Sequence, residues 1–412
     1  MTLLCLTLVS ALVKGCRCLE IDCWDGSQNE PVVYHGYTLT SKLLFKTVIQ
    51  AIHKYAFMAS EYPVVLSLEN HCSPGQQEMM ADILESTFGD FLLSDMLDDF
   101  PDKLPSPEAL KFKILVKNKK IGTLLETRER KGTDKEGLVL EKEEDSYEDG
   151  DVEALKEPES RDSFLLRVEQ EKETEPSKLI VGVVGKKKSR KLKLALALSD
   201  LVIYTKAEKF RSFQYSRLYQ QFNENNSIGE YRARKLSKLR VALNFQTPGV
   251  PMDLQNGKFL DNGGSGYLLK PDFLRDTTLS FNPSDTNGDG HPITLTLRVI
   301  SGIQLPVNLS SSNILVIVEV YGVPNDHVKQ QTRVVKHNTF SPRWNETFTF
   351  IIQVPELALV RFVVENQGFL AGNEFLGQYT LPVLCMNKGY RHVPLYSKAG
   401  AKLEPSSLFV YV

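Results

Sequence analysis

Apolar and polar positions follow two different periods along this chain, and the change of period divides it. Over residues 41–57, SKLLFKTVIQAIHKYAF sets Leu43, Leu44, Val48, Ile52 and Phe57 at approximately helical spacing. YPVVLSLENHC follows, a short apolar strand over 63–68 that delivers Glu69, Asn70 and His71 at its carboxyl end. The arrangement repeats, with QQEMMADILESTFG as an amphipathic helix and KFKILVKNKK as a strand ending in Lys117, Lys119 and Lys120. Strand, helix, strand predicts a parallel α/β arrangement, and such folds keep their chemistry at the carboxyl ends of the strands. LALALSDLVIY, over 194–204, predicts a further apolar strand, and a tight turn at Asn262, Gly263 and Gly264 precedes another short one. From about Pro292 strand-like segments take over: PITLTLRVISGIQLP, ILVIVEVYG, QQTRVVKHN, ETFTFIIQV, LALVRFVVEN, FLGQYTLPV and SSLFVYV. Short loops separate them, which predicts a β-sandwich.

Two stretches fit neither period. Residues 126–178 are acid-rich and lack apolar periodicity, which predicts a disordered insertion. Directly after it KKKSRKLK concentrates Lys186, Lys187, Lys188, Arg190, Lys191 and Lys193. Such a tract suits an anionic membrane surface, at roughly 1 kcal/mol per basic residue near the lipid. It also suits nuclear import, or simple pairing with the acidic run before it. At the amino terminus MTLLCLTLVSALVKG has the apolar run of a signal peptide, but no basic residue precedes the run and no small-x-small site ends it. An apolar helix packed on the domain is expected there. No other run approaches the roughly 20 apolar residues of a membrane span, and the sequons at Asn308 and Asn345 then read as chance matches.

Composition narrows the class. With 42% hydrophobic and 24% charged residues the chain reads as a soluble globular protein. A formal net charge of −2 excludes a globally basic nucleic-acid binder. Six cysteines, at 5, 16, 18, 23, 72 and 385, include no CxxC pair, which speaks for a reduced, intracellular chain.

Candidate chemistry centres on CRCLEIDCWDGSQNEPVVYHGYTLT. Glu20 and Asp22 stand two apart on a predicted strand, so both carboxylates project from one face. Like charges this close are costly unless something positive sits between them, and oxygen ligands suit calcium or magnesium. The alternative is an exposed strand with two solvated acids. His35 is a single histidine after a turn, a position more often structural than chemical. Carboxylates at two strand ends with lysines at a third would bind a cation beside an anion, the requirement of a phosphorylated substrate. The lysines read equally as a solvated strand end.

CRCLEIDCWDG, VVYHGYTLTSK, YPVVLSLENHC, FKILVKNKK, ALALSDLVIY, VALNFQTPG and FLDNGGSGYLLKP occur in an order that closely resembles the X and Y halves of eukaryotic phosphoinositide-specific phospholipase C. Within that family the wording of 32–57 and the lack of a pleckstrin-homology domain are most like the sperm-type zeta isoform. TFSPRWNETFTF and LALVRFVVE resemble the C2 domain that follows the barrel in these enzymes. The resemblance implies an α/β plus all-β chain, with a distorted, incomplete TIM-type barrel and a C2 β-sandwich. It divides the chain into an X half at 1–125, a linker at 126–193, a Y half at 194–284 and C2 at 285–412.

By motif position, Glu20, Asp22 and Glu69 resemble calcium ligands, with Glu20 and Glu69 also available as base. His35 resembles the histidine that stabilises charge on the scissile phosphate. Lys117 and Lys119 match positions that contact ring phosphates, and Asn223 stands where some relatives have a serine. The implied reaction is calcium-dependent cleavage of phosphatidylinositol 4,5-bisphosphate to diacylglycerol and inositol 1,4,5-trisphosphate, leading to calcium release and egg activation. Expected partners are phosphoinositide lipids and an anionic membrane, met by a monomer at the cytoplasmic membrane periphery, with the nucleus as an alternative. No counterpart of the family's first-strand Ser-His-Asn motif precedes Cys16, and an Arg-Ile-Tyr-Pro element is lacking at the junction of Arg240 and Val241. These departures imply a rival reading, an impaired variant that only binds phosphoinositide or membrane. In the C2 domain the loop after Val364 reads Glu365, Asn366, Gln367, Gly368 rather than a cluster of aspartates, so calcium-driven docking is not expected there. DTNGDG, at 285–290, opens like an EF-hand loop, but position twelve is Thr296 and Pro292 interrupts an exit helix, so an interdomain turn is expected.

Overall fold

Alternating burial along one strand sets the architecture: β1 (Cys18–Trp24) buries Leu19, Ile21 and Cys23 and turns Glu20 and Asp22 the other way. The computed structural model describes residues 3–35, 41–97, 102–130, 139–143, 191–228, 245, 247–276, 278, 281–284, 291–306, 312–368 and 372–412. The amino-terminal apolar run is a helix, α1 (Leu3–Val13), whose Leu12 is fully buried in the core beneath β1. Short strands β2 (Val32–Val33) and β3 (Leu43–Leu44) pair antiparallel beside β1, while β4 (Val64–Asn70) and β5 (Ile114–Lys117) pair parallel on its other side. Crossover helices α2 (Phe45–Tyr55) and α3 (Pro74–Phe88) cover this sheet. Phe45, Val48, Ile49 and Ile52 of α2 and Met80, Leu84 and Phe88 of α3 form the shared core.

After α4 (Leu124–Glu129), β6 (Val139–Glu143) pairs antiparallel with β7 (Lys191–Ala195). Part of the stretch expected to be disordered is therefore strand, and its two ends meet. Residues 186–190 of the basic tract lie outside the described residues, as do 285–290 of the EF-hand-like run. Nor is 194–204 one strand: β7 stops at Ala195 and a short helix, α5 (Leu196–Asp200), follows. Burial on nearly all sides leaves no alternation from which to tell a strand from a helix. The helical turn directs Ser199 Oγ to accept from Ile121 N (2.8 Å) and Asp200 Oδ1 to accept from Arg130 Nη2 (2.8 Å).

β8 (Lys206–Lys209), α6 (Phe213–Tyr219) and β9 (Glu224–Ser227) continue the parallel arrangement. A parallel bridge between Asn118 and Lys206 joins β8 to β5, with Ala207 N donating to Asn118 O at 2.8 Å. Strands β1, β4, β5, β8 and β9 thus form an arc in chain order, as in a TIM-type barrel. Among the described residues β9 pairs only with β8.

Next come α7 (Val250–Phe259), the turn at Gly263 and Gly264, and α8 (Asp272–Arg275). The strand expected after that turn is instead irregular chain tied down by side chains. Tyr267 Oη donates to Pro63 O (3.0 Å) and Ser60 Oγ to Ser265 O (2.8 Å), while a Cβ on Gly266 would lie 2.5 Å from Gly15 O.

The carboxyl-terminal sandwich comprises β10 (Ile293–Ile303), β11 (Asn313–Tyr321), β12 (Val328–Gln331), β13 (Val335–Lys336), β14 (Arg343–Ile352), β15 (Leu359–Asn366), β16 (Glu374–Pro382), β17 (Tyr390–Tyr396) and β18 (Lys402–Tyr411). The strands pair in the order β12-β11-β15-β16-β17-β18-β10-β14, with β13 on β11, a nearly closed sandwich around Trp344, Phe362 and Leu395. β17 is the strand the apolar pattern did not show, because only Val393 and Leu395 of its seven residues are buried. Helix α7 docks on the sandwich through an ion-pair network: Arg361 reaches Asp253 Oδ2 at 2.9 Å and Glu319 Oε2 at 2.7 Å. No helix among the described residues is long and apolar enough to cross a membrane.

Candidate functional site

The register of three parallel strands builds the site in rows. Glu20 pairs with Ser67, and Ser67 with Lys117; one pleat further toward the carboxyl ends, Asp22 pairs with Glu69. Paired residues of neighbouring parallel strands share a face, so an acidic row lies beyond a mixed one. Glu20, Asp22 and Glu69 can each present an oxygen within 4.8 Å of the other two, the one such group of potential metal ligands among the described residues. Partial burial, then repulsion from Asp22 and Glu69, pushes the Glu20 carboxyl up, with Lys117 and His35 pulling it back. Asp22 is likewise pushed up by burial and by Glu69, against His35 and His71. The sequence pair gains its third acid from the next parallel strand, and His35, two residues past β2, lies near enough to act on both members of that pair.

Lys117 Nζ donates to Ser227 Oγ at 2.7 Å and lies 3.3 Å from Ser67 Oγ. A cation beside acidic groups is thus held by two hydroxyls at the carboxyl mouth of the arc. Lys119 stands two residues on, past the end of β5, and its backbone N–H donates to Asn118 Oδ1. Lys120 instead points inward, buried, with Nζ on Ser199 O. Asn223 is not brought to this group. It is buried at the amino end of β9, where its carbonyl accepts from Lys206 N at 2.8 Å, whereas Ser227 ends the same strand at the carboxyl mouth. Ser67 and Ser227 are the site residues that sequence reasoning missed. Ser67 carries a readable signal, since it precedes Glu69 by two on an alternating strand. Ser227 carries none, because its place depends on how β8 meets β5.

Of the basic tract, Lys193 is described as exposed, with its backbone carbonyl held by Gln77 Nε2 at 3.0 Å. Lys191 opposes Glu143, and Lys193 opposes Glu141, across the β6–β7 ladder. The two ends of the linker therefore meet as paired backbone strands. In the C2 domain, Asn366 is used structurally: its Oδ1 accepts from Asn313 N at 2.8 Å and its Nδ2 donates to Glu374.

Comparison with known proteins places these features. Residues 5–120 match the X domain of phosphatidylinositol-specific phospholipase C, residues 239–273 match its Y domain, and residues 293–397 match the C2 domain. A relative from Rattus norvegicus, 1-phosphatidylinositol 4,5-bisphosphate phosphodiesterase zeta-1, is 72% identical over 98% of this chain and 69% of its own length. The chain belongs to the phosphoinositide-specific phospholipase C family. The zeta-1 relative from Homo sapiens is 67% identical over 98% of this chain and 68% of its own length. The crystal structure of L. pealei PLC21 superposes with a TM-score of 0.73 at 30% identity; it covers 99% of this chain, which spans 52% of that one. The rat alignment runs over 445 positions against the 412 residues of this chain, so the phospholipase C relative carries residues within the aligned region that have no counterpart here.

Proposed function

We propose that this chain is a calcium-dependent phosphoinositide phospholipase C acting on phosphatidylinositol 4,5-bisphosphate at an anionic membrane surface. The convergence of Glu20, Asp22 and Glu69 within 4.8 Å, beside a lysine held by serine hydroxyls, carries this reading. A hard cation fits the donor set, which consists of carboxylate oxygens whose repulsion a divalent ion would relieve. Glu20, Asp22 and Glu69 would hold calcium, which when bound supplies acidification of the inositol 2-hydroxyl and offsets charge on the phosphate.

The remaining steps belong to side chains. Glu20 or Glu69 takes the proton of the 2-hydroxyl. The freed oxygen attacks the 1-phosphate, the bond to the diacylglycerol oxygen breaks, and that oxygen takes a proton from water to leave as the alcohol. This leaves a cyclic phosphate that water then opens. His35, exposed at the rim, donates to a phosphate oxygen as charge develops there. Lys117 with Ser67 and Ser227 receives one ring phosphate, and Lys119 lies further out for a second. Lys186, Lys187, Lys188, Arg190, Lys191 and Lys193 hold the chain to anionic lipid. Calcium release and egg activation are the physiological end that the sequence resemblance implies for this reading.

A second reading has its own observation: β9 pairs only with β8 among the described residues, and the rat relative carries residues within the aligned region that this chain lacks. On that reading the chain binds phosphoinositide with little turnover. Inositol phosphate release from bisphosphate-containing vesicles at micromolar calcium separates the two. We expect release, lowered about 10²- to 10³-fold by His35→Ala. Vesicle binding without release selects the second reading.

A further inference from the structure

We propose that His71 is a positioning residue for the carboxylate cluster, holding Glu69 in its cation-binding pose before any cation arrives; this rests on the calcium reading above. His71 Nε2 lies 2.9 Å from Glu69 Oε1. An ionised carboxylate only accepts hydrogen bonds, so Nε2 carries the proton and donates it. The ring is fixed independently of that bond. It stacks on Trp24 with centroids 4.0 Å apart and planes within 16°, and the His71 backbone N–H donates to Cys23 O at 2.8 Å. Both anchors belong to β1, the strand that carries Glu20 and Asp22. His71 therefore ties the acid at the end of β4 to the strand bearing the other two.

The tie has a purpose because the cluster opposes itself. Glu69 sits opposite Asp22 in register, and its side chain is 55% exposed, with open solvent available to its long rotamers. Repulsion within the cluster favours the rotamers that swing Glu69 outward. A donor fixed on β1 holds the carboxylate inward and supplies partial positive charge on the cluster's solvent side. Groups that hydrogen-bond a metal-ligating carboxylate in this way commonly contribute 10- to 100-fold to metal affinity. Packing alone does not call for a histidine here, since any flat ring would stack on Trp24. Only a ring or amide N–H also reaches Glu69.

Two substitutions in the full chain separate stacking from donation. His71→Phe keeps a ring on Trp24 and removes the donor; His71→Gln keeps a donor and removes the ring. The probe is terbium(III), a hard trivalent ion with calcium-like preference for oxygen ligands, read by luminescence excited through Trp24 and competed with calcium. Trp24→Phe is the control for signal origin, because the other tryptophan, Trp344, is buried in the sandwich. We expect His71→Phe to weaken terbium and calcium binding about 10- to 100-fold while the cation-free unfolding midpoint stays at the parent value, and His71→Gln to retain most of the affinity. Equal affinity in His71→Phe and parent overturns the proposal, as does His71→Gln binding no better than His71→Phe. If Glu69→Gln abolishes binding and His71→Phe does not, this proposal falls and the calcium reading stands. If the parent gives no calcium-competed signal, both fall.

Discussion

Asp326 of the sandwich and Asp22 of the arc are both aspartates close to a strand end, and their surroundings differ. Asp326 is 1% exposed, and its two oxygens accept from Gln353 N at 2.6 Å and Val354 N at 3.1 Å. Arg361, also buried, is flanked by Asp253 and Glu319 in the same complementary way. Asp22 faces Glu69 and Glu20, like charge against like, toward the carboxyl ends of the arc's strands. Packing accounts for the first arrangement, since each buried charge meets a partner. The second costs stability unless a ligand completes it, which is the mark of a site.

The largest effects should fall on the sandwich. Trp344→Ala removes the bulkiest side chain of its core and should cost about 3–5 kcal/mol. The two principal cores are separate clusters, so chemical denaturation should show an early transition in the sandwich while terbium binding at the arc persists. Simultaneous loss of both would break the contrast. Arg361→Met should come next, at about 3 kcal/mol, because it leaves Asp253 buried without its cation and takes from Glu319 the shorter of its two ion pairs, the other being with Lys329. Burial already pushes the Asp253 carboxyl up despite Arg361. Without the guanidinium the cost lies in the ionised forms, so the loss should be larger at pH 7 than at pH 4. Adding Asp253→Asn should recover part of it.

What the chain disclosed in advance followed from local periodicity. Glu20 and Asp22 were legible because alternation on a strand puts residues two apart on one face, and Glu69 because it ends an apolar run. Seven of the sandwich's segments were visible for the same reason. Long-range register was not legible. Ser227 meets Lys117 only because Asn118 bridges Lys206 and thereby sets β8 and β9 beside β5. Asn223 occupies the opposite end of that strand for the same reason. The reading of 194–204 as strand failed where burial on nearly every side erased the pattern, and the helix there is fixed by Ser199 and Asp200 reaching across to Ile121 and Arg130.

The smallest effect sharpens the comparison most, because it should have the opposite sign. Glu20→Gln removes one charge from a cluster that repels itself, so with cation chelated it should stabilise the fold, by about 1–2 °C in unfolding midpoint. The pH dependence follows from the direction of the shift. The Glu20 carboxyl is pushed up by burial and by its acidic neighbours, so the folded state holds its proton more tightly than the unfolded chain. The penalty is absent below the unfolded-state carboxylate range, grows as pH rises through the elevated folded value, and is complete above it. The gain from Glu20→Gln should therefore appear at pH 7 and vanish near pH 3.5. Saturating calcium should reverse its sign at pH 7, because the parent then gains binding energy that the variant loses. Differential scanning calorimetry across these conditions tests each step. A destabilised Glu20→Gln in chelator at pH 7 would place Glu20 with Asp326 and Arg361, among residues held for structure.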